Sequence, residues 1–143
     1  MVRIDRVHTG GGDSGESSLV DGSRRSKSDA RFSVVGDCDE LNSLLGVARM
    51  ECARVPMMHR DGGDRKGAGR VHFICDSALS RVQHELFDLG AELACPPENL
   101  PDFMVLINDD QSDVLVSDMD AWLSQTEPLT SFILPSGGLH KQC

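Results

Sequence analysis

Apolar positions recur at helical spacing in three stretches of this chain, and polar, glycine-rich passages separate them. In the longest stretch Val71, Cys75, Ala78, Val82, Leu86, Leu89 and Leu93 step by four, three, four, four, three and four residues. That is one unbroken stripe, about 33 Å long at the helical rise, and Pro96-Pro97 stops it. A second stripe, Leu41, Leu44, Leu45, Ala48 and Cys52, predicts a helix from Asp39 to about Ala53 that ends before Pro56. A third, Leu115, Met119, Trp122 and Leu123, predicts a shorter helix from about Ser112 to Ser124, with Asp113, Asp118 and Asp120 weighting its early turns. Three helices joined by loops suit an antiparallel helical bundle, so the fold class expected is all-α.

The start of the first helix draws most attention. In Gly36-Asp37-Cys38-Asp39-Glu40-Leu41-Asn42, a glycine closes a loop and Asp37 is set to cap the helix. Glu40, three residues on, is set to return the bond, the pattern of a capping box. On the longest helix, His84, Glu85, Asp88 and Glu92 lack the paired spacing of a dinuclear metal site and are read as a polar or subunit-facing surface.

The polar passages hold the candidate chemistry. Val7 to Gly15 reads V-H-T-G-G-G-D-S-G. Its glycines permit close backbone approach, its amides can form an anion nest, and Thr9, Asp13 and Ser14 add oxygens for a hydroxyl, a ribose or hydrated magnesium. It has neither the Lys-Ser/Thr of a P-loop nor the strand and helix that flank a Rossmann turn. Two readings stay open, a ligand loop and a flexible glycine-rich arm. Between residues 16 and 35 a basic cluster follows, Arg24, Arg25, Lys27 and Arg31, which suits either a solvated turn or a polyphosphate. His59 to Gly69 is a glycine-rich surface loop, and His59 receives no role. Near the end, Phe132, Ile133 and Leu134 lie against Pro135-Ser136-Gly137-Gly138, either as a buried crossing or with Phe132 as a wedge into a ligand site.

Composition narrows the classes. With 143 residues there is room for one domain. The net charge of -9 and the absence of tyrosine argue against broad nucleic-acid or anionic-membrane partners. No apolar run is long enough to cross a bilayer. Five cysteines without C-x-x-C spacing fit free thiols in a reducing compartment, so a cytoplasmic location is expected.

Three separated features, T-G-G-G-D-S-G at 9 to 15, G-D-C-D-E-L-N-S at 36 to 43 and F-I-L-P-S-G-G at 132 to 138, resemble the PduO-type family of ATP:corrinoid adenosyltransferases. The helix R-V-Q-H-E-L-F-D-L-G-A-E-L-A at 81 to 94 falls between them in the expected order, so the resemblance covers nearly the whole chain. It implies a ferritin-like, cobalamin-adenosyltransferase-like bundle with a nucleotide-binding loop region at 1–35 and a helical portion at 36–143. It also implies a homotrimer with ATP at subunit interfaces, and transfer of the 5′-deoxyadenosyl group from ATP to reduced cob(I)alamin, giving adenosylcobalamin and triphosphate. Mg2+ and a flavin-type reductant system are implied as helpers, with no metal held by a protein ligand set, no nucleic acid and no membrane.

Residue by residue, the resemblance implies that Thr9, Gly10, Gly11, Gly12, Asp13 and Gly15 form the ATP loop and that Lys27 contacts phosphate. Asp39 matches an aspartate that pairs with an arginine near the nucleotide, and Glu40 and Asn42 complete that motif. Phe132 matches the residue that excludes the lower axial ligand of the corrinoid, so Phe132 and Asp39 are the expected catalytic residues. The chain departs from the pattern at Gly10 and Gly11, where the family often has Lys or Arg and then Thr. The resemblance also calls for a further long helix bearing R-R-A-E-R after Cys143, so the sequence is expected to be truncated at its C-terminus and Asp39 to lack its arginine. Two competing readings follow. One is a nucleotide-binding regulatory protein or inactive fragment on the same bundle, and the other is a ligand-free helical protein in which Phe132 is core.

Overall fold

The computed structural model describes Asp5 and residues 8–132. Residues 133–138 of the third motif, and Cys143, lie outside the described residues. The order is β1 (Glu16–Ser18), β2 (Arg24–Ser26), α1 (Ala30–Arg54), α2 (Ala68–Leu93), a 3-10 turn at Pro97–Asn99, and α3 (Asp109–Leu123). The architecture is an all-α helical bundle with one minor two-stranded sheet, as the periodicity predicts. In that sheet β1 and β2 run antiparallel, with Glu16 opposite Ser26, Ser17 opposite Arg25 and Ser18 opposite Arg24.

The first helix does not begin where its motif suggests. α1 starts at Ala30, so Gly36 to Asn42 lie inside it, and Asp37 and Glu40 form no capping box at a helix start. The cap is supplied earlier, where the Asp29 carboxylate accepts the Arg31 N–H at 2.9 Å, which satisfies one of the orphan amides of the first turn. Gly36 is tolerated because a single glycine in a helix costs only about 1 kcal/mol relative to alanine. Half-buried Phe32 and Val35 give the early turns an apolar face that offsets it. α3 does carry a capping box, at Asn108-Asp109-Asp110-Gln111, whose spacing the sequence holds but which was not singled out there. The Asn108 side chain accepts from the backbone of the first turn and the Gln111 side chain accepts the Asn108 N–H.

The chain divides into two compact units, Met1–Leu44 with His84–Ile107, and Leu45–Gln83 with Asn108–Cys143. The first holds the β pair, the start of α1 and the end of α2. Its buried residues include Leu19, Cys95 and Pro96. Polar ties of long sequence range surround them. The Val20 N–H donates to the Ala94 carbonyl at 3.0 Å. Asn99 Nδ2 donates to Asp21 Oδ2 at 2.8 Å. Arg31 Nη1 donates to the carbonyls of Leu93 at 2.6 Å and Cys95 at 3.2 Å, so a cation takes up carbonyls left over where α2 ends. Glu92, expected on a polar or subunit-facing surface, is half-buried and accepts the Ile107 N–H at 2.9 Å, because that backbone amide needs an acceptor in the irregular segment that leads into α3.

In the second unit Arg49 grips Asp76 with both ends of its fork, at 2.7 and 3.1 Å, and donates to Gln83 Oε1 at 2.9 Å. The ion pair holds the Asp76 carboxyl below, and the Arg49 guanidinium above, their ordinary values. Gly46 sits against the Gln83 side chain. Burial pushes the Cys75 thiol up, and its neighbour Cys52 adds to the shift. Cys38, Cys52, Cys75 and Cys95 are free thiols. The face of α3 that its pattern marks as core stays open among the described residues, with Leu115, Met119, Trp122 and Leu123 all exposed.

Candidate functional site

The glycine loop folds as consecutive tight turns: the Asp13 N–H donates to the Gly10 carbonyl and the Gly15 N–H to the Gly12 carbonyl, both at 3.2 Å. Gly15 takes a φ of 85°, which a side chain would strain, and its carbonyl accepts the Lys27 N–H at 2.9 Å. That bond carries the β1–β2 ladder onward and brings Lys27 back over the loop. A Cβ on Gly12 would lie 3.0 Å from both Cε and Nζ of Lys27 and 3.3 Å from the Glu16 carbonyl, so only glycine lets the ammonium come this close. Thr9 and Asp13 flank the turn, with Thr9 Oγ1 beside Gly11 and Asp13 Oδ2 beside Gly10.

The basic cluster is sorted by strand geometry. Side chains on β2 alternate between faces, and Arg24 turns back on the loop while Arg25 reaches Asp29 at 3.7 Å. Arg24 Nη2 donates to the Gly11 carbonyl at 2.7 Å and the Glu16 carbonyl at 3.4 Å, and Nη1 to Ser18 Oγ at 3.3 Å. Arg31 belongs to the end of α2. Arg24, Arg25 and Arg31 are thus committed to carbonyls or a carboxylate, and Lys27 is the cation whose head lies beside Gly12.

Of the residues singled out from sequence, Gly11, Gly12, Gly15 and Lys27 are brought together, with Thr9, Gly10 and Asp13 on the rim. Asp39 and Asn42 stand three residues apart inside α1, Asp39 exposed and Asn42 half-buried, and Ser43 Oγ donates to the Asp39 carbonyl at 2.9 Å. Phe132 is fully exposed at the edge of the described residues, so it is not core among them. Arg24, read from the sequence only as one member of a basic cluster, is the residue whose hold on the loop carbonyls sequence reasoning missed. Its place on a strand carried no signal, because Arg24-Arg25-Ser26 shows no apolar alternation.

A helical bundle carrying a glycine loop with a lysine laid on its backbone defines the class, and comparison with known proteins supplies the family. The model of the family described as cobalamin adenosyltransferase matches residues 7–142. The corrinoid adenosyltransferase of Mycobacterium leprae is 33% identical over 140 residues, which cover 95% of this chain and 64% of that protein. The cobalamin adenosyltransferase of Cupriavidus metallidurans is 34% identical over 139 residues, covering 94% and 61%. The human corrinoid adenosyltransferase MMAB is 32% identical over 140 residues, covering 95% and 49%. A solved variant of a PduO-type ATP:co(I)rrinoid adenosyltransferase from Lactobacillus reuteri, complexed with ATP, shares the fold with a TM-score of 0.68 at 23% identity, over 91% of this chain and 63% of that one. This chain belongs to the cobalamin adenosyltransferase family. It spans from about half to just under two thirds of the length of these relatives. No helix among the described residues is long and apolar enough to cross a membrane.

Proposed function

We propose that this protein transfers the 5′-deoxyadenosyl group of ATP to a reduced corrinoid, releasing triphosphate. The observation that carries the reading is the Lys27 ammonium lying against Gly12 inside a loop of successive turns. An ammonium beside a loop whose Gly12 N–H is not used in the turns suits the phosphates of a nucleotide, since both offer positive charge to an anion. In the reaction the reduced cobalt attacks C5′ of ATP, the C5′–O bond breaks, and its electron pair leaves on the triphosphate. The protein's share is to hold C5′ in line and to neutralise the charge gathering on the leaving group. Lys27 and the Gly10–Gly15 loop do the second. Thr9 and Asp13 border the same loop, and the Asp13 carboxylate fits the water shell of a Mg2+ that arrives on the phosphates.

Phe132 takes the corrinoid side in this reading. An exposed aromatic ring is available to pack on the macrocycle and keep a lower axial ligand from the cobalt. Asp39 and Asn42, on successive turns of α1, complete the nucleotide side. A homotrimer with ATP between subunits, a flavin-type reductant and a cytoplasmic setting belong to the same proposal, supported by kinship with the family alone.

The test is direct. Under strictly anaerobic, reducing conditions, the protein with ATP, Mg2+ and cob(I)alamin is expected to form adenosylcobalamin and intact triphosphate in equal amounts. A folded protein that gives neither product, or that releases phosphate and diphosphate without adenosylcobalamin, would overturn the proposal.

A further inference from the structure

We infer that Arg24 is a positioning residue of the triphosphate site: its guanidinium sets the shape of the glycine loop so that the Gly12 amide and the Lys27 ammonium serve one anion. The inference rests on the phosphate reading of the loop given above and goes beyond it by assigning a residue that the loop motif does not contain.

Arg24 spans the loop from one end to the other. Its Nη2 holds the Gly11 carbonyl at 2.7 Å on the entering side and the Glu16 carbonyl at 3.4 Å on the leaving side. Nη1 holds Ser18 Oγ at 3.3 Å, and Nε lies 3.7 Å from the Glu16 carboxylate. Residues 12 to 15 are thus the span between two points fixed to one rigid, planar group. In a trans peptide the C=O and the following N–H point in opposite directions. With the Gly11 carbonyl turned toward Arg24, the Gly12 N–H is turned away from it, and among the described residues it donates no backbone hydrogen bond. The Lys27 ammonium lies against that same Gly12. With Nη2 bonded to both loop carbonyls and Nη1 to Ser18, the guanidinium is committed to the backbone and acts on an anion through the loop. A lysine at position 24 would keep the charge and lose the fork.

Calorimetric titration with inorganic triphosphate, and separately with adenosine, at one fixed ionic strength separates these roles. The proteins are the parent, Arg24→Lys, Arg24→Gln, Lys27→Ala and the Arg24→Gln/Lys27→Ala double variant. If charge-assisted bonds set the loop, both Arg24 variants lose about tenfold in triphosphate affinity, with adenosine affinity unchanged. The Arg24→Gln loss shrinks to less than about threefold once Lys27 is gone, because coupled residues are not additive. Retention of parental affinity by Arg24→Lys would show that charge alone suffices and overturn the inference, as would parental affinity in Arg24→Gln or equal losses for triphosphate and adenosine. Circular dichroism and thermal midpoints accompany each titration, and unfolding of both Arg24 variants would make the residue structural and also overturn it. A folded parent that binds no triphosphate would fail earlier, at the phosphate reading itself, and is told apart by being independent of position 24.

Discussion

Residues 8–29 and residues 55–67 are both polar, glycine-rich and charged, yet the structure holds them in different ways. The first loop reaches far along the sequence. Asp21 meets Asn99, 78 residues on, and Arg24 meets Gly11 across 13 residues. The Val20 N–H meets the Ala94 carbonyl, and Leu19 is buried. The second loop is tied to itself. Its bonds run from Arg65 N–H to the Met57 carbonyl, from His59 N–H to the Gly63 carbonyl and from Gly63 N–H to the Asp61 carboxylate. Composition did not separate them, because glycine and charge content set what a loop can do, while partners far along the chain set whether it holds one shape.

The largest expected break in this comparison is at the buried residue. Leu19 is 5% exposed, and Leu19→Ala is expected to cost about 2 to 5 kcal/mol in denaturant unfolding, as truncation in a packed site does. Met58, an apolar residue of the second loop, is 53% exposed, and Met58→Ala is expected to change stability by less than about 0.5 kcal/mol. Equal losses at the two positions would remove the distinction between the loops.

Two glycines sharpen it further, since they share a backbone strain but not a setting. Gly15 has a φ of 85° and Gly62 one of 88°, and an added Cβ meets nothing within 4 Å at either. Alanine therefore carries the same conformational penalty at both, about 1 to 2 kcal/mol. The Gly15 carbonyl takes the Lys27 N–H, so Gly15→Ala is expected to lower global stability by about 1 kcal/mol and to weaken triphosphate binding with it. Gly62→Ala is expected to be relieved by local opening, seen as faster proteolysis between residues 57 and 65 with the global unfolding midpoint nearly unchanged. A full global loss at Gly62 would mean that the second loop is as firmly held as the first.

What the sequence made legible follows the same division. The α2 stripe and the helical stretch of α3 could be seen because apolar period is a local property of consecutive turns. The start of α1 could not, because Gly36, Asp37 and Glu40 imitate a cap, whereas the true cap at Asp29 sits among other polar residues and depends on packing of Phe32 and Val35. The strands β1 and β2 left no signal, having no apolar alternation to show. In the candidate site, glycine spacing and one lysine could be read directly. The bracing by Arg24 and the use of Arg31 at the end of α2 could not, since each depends on a backbone carbonyl whose place is known only after folding.

The smallest expected effect tests the outermost tie of the first loop. The Asp21 carboxylate accepts from Ser23 Oγ at 2.7 Å and from the Ser23 N–H at 2.9 Å, and Asn99 donates to its other oxygen. These bonds, those from Ser23 foremost, hold the Asp21 carboxyl below its ordinary value. A carboxyl depressed on folding adds stability that is fully present above its unfolded-state pKa and is lost as pH falls through the lower folded-state value. Asp21→Asn keeps an oxygen for Ser23 but does not titrate, and its amide faces the Asn99 amide. The thermal midpoint of the parent should therefore exceed that of Asp21→Asn by a small margin near about pH 7, a margin that narrows below about pH 4. Because Asp76 titrates with its Arg49 partner in both proteins, its contribution cancels in the difference. A margin that stays constant down to about pH 2 would mean that Asp21 holds the loop by shape and not by charge, and that Asn99 anchors it equally well to a neutral side chain.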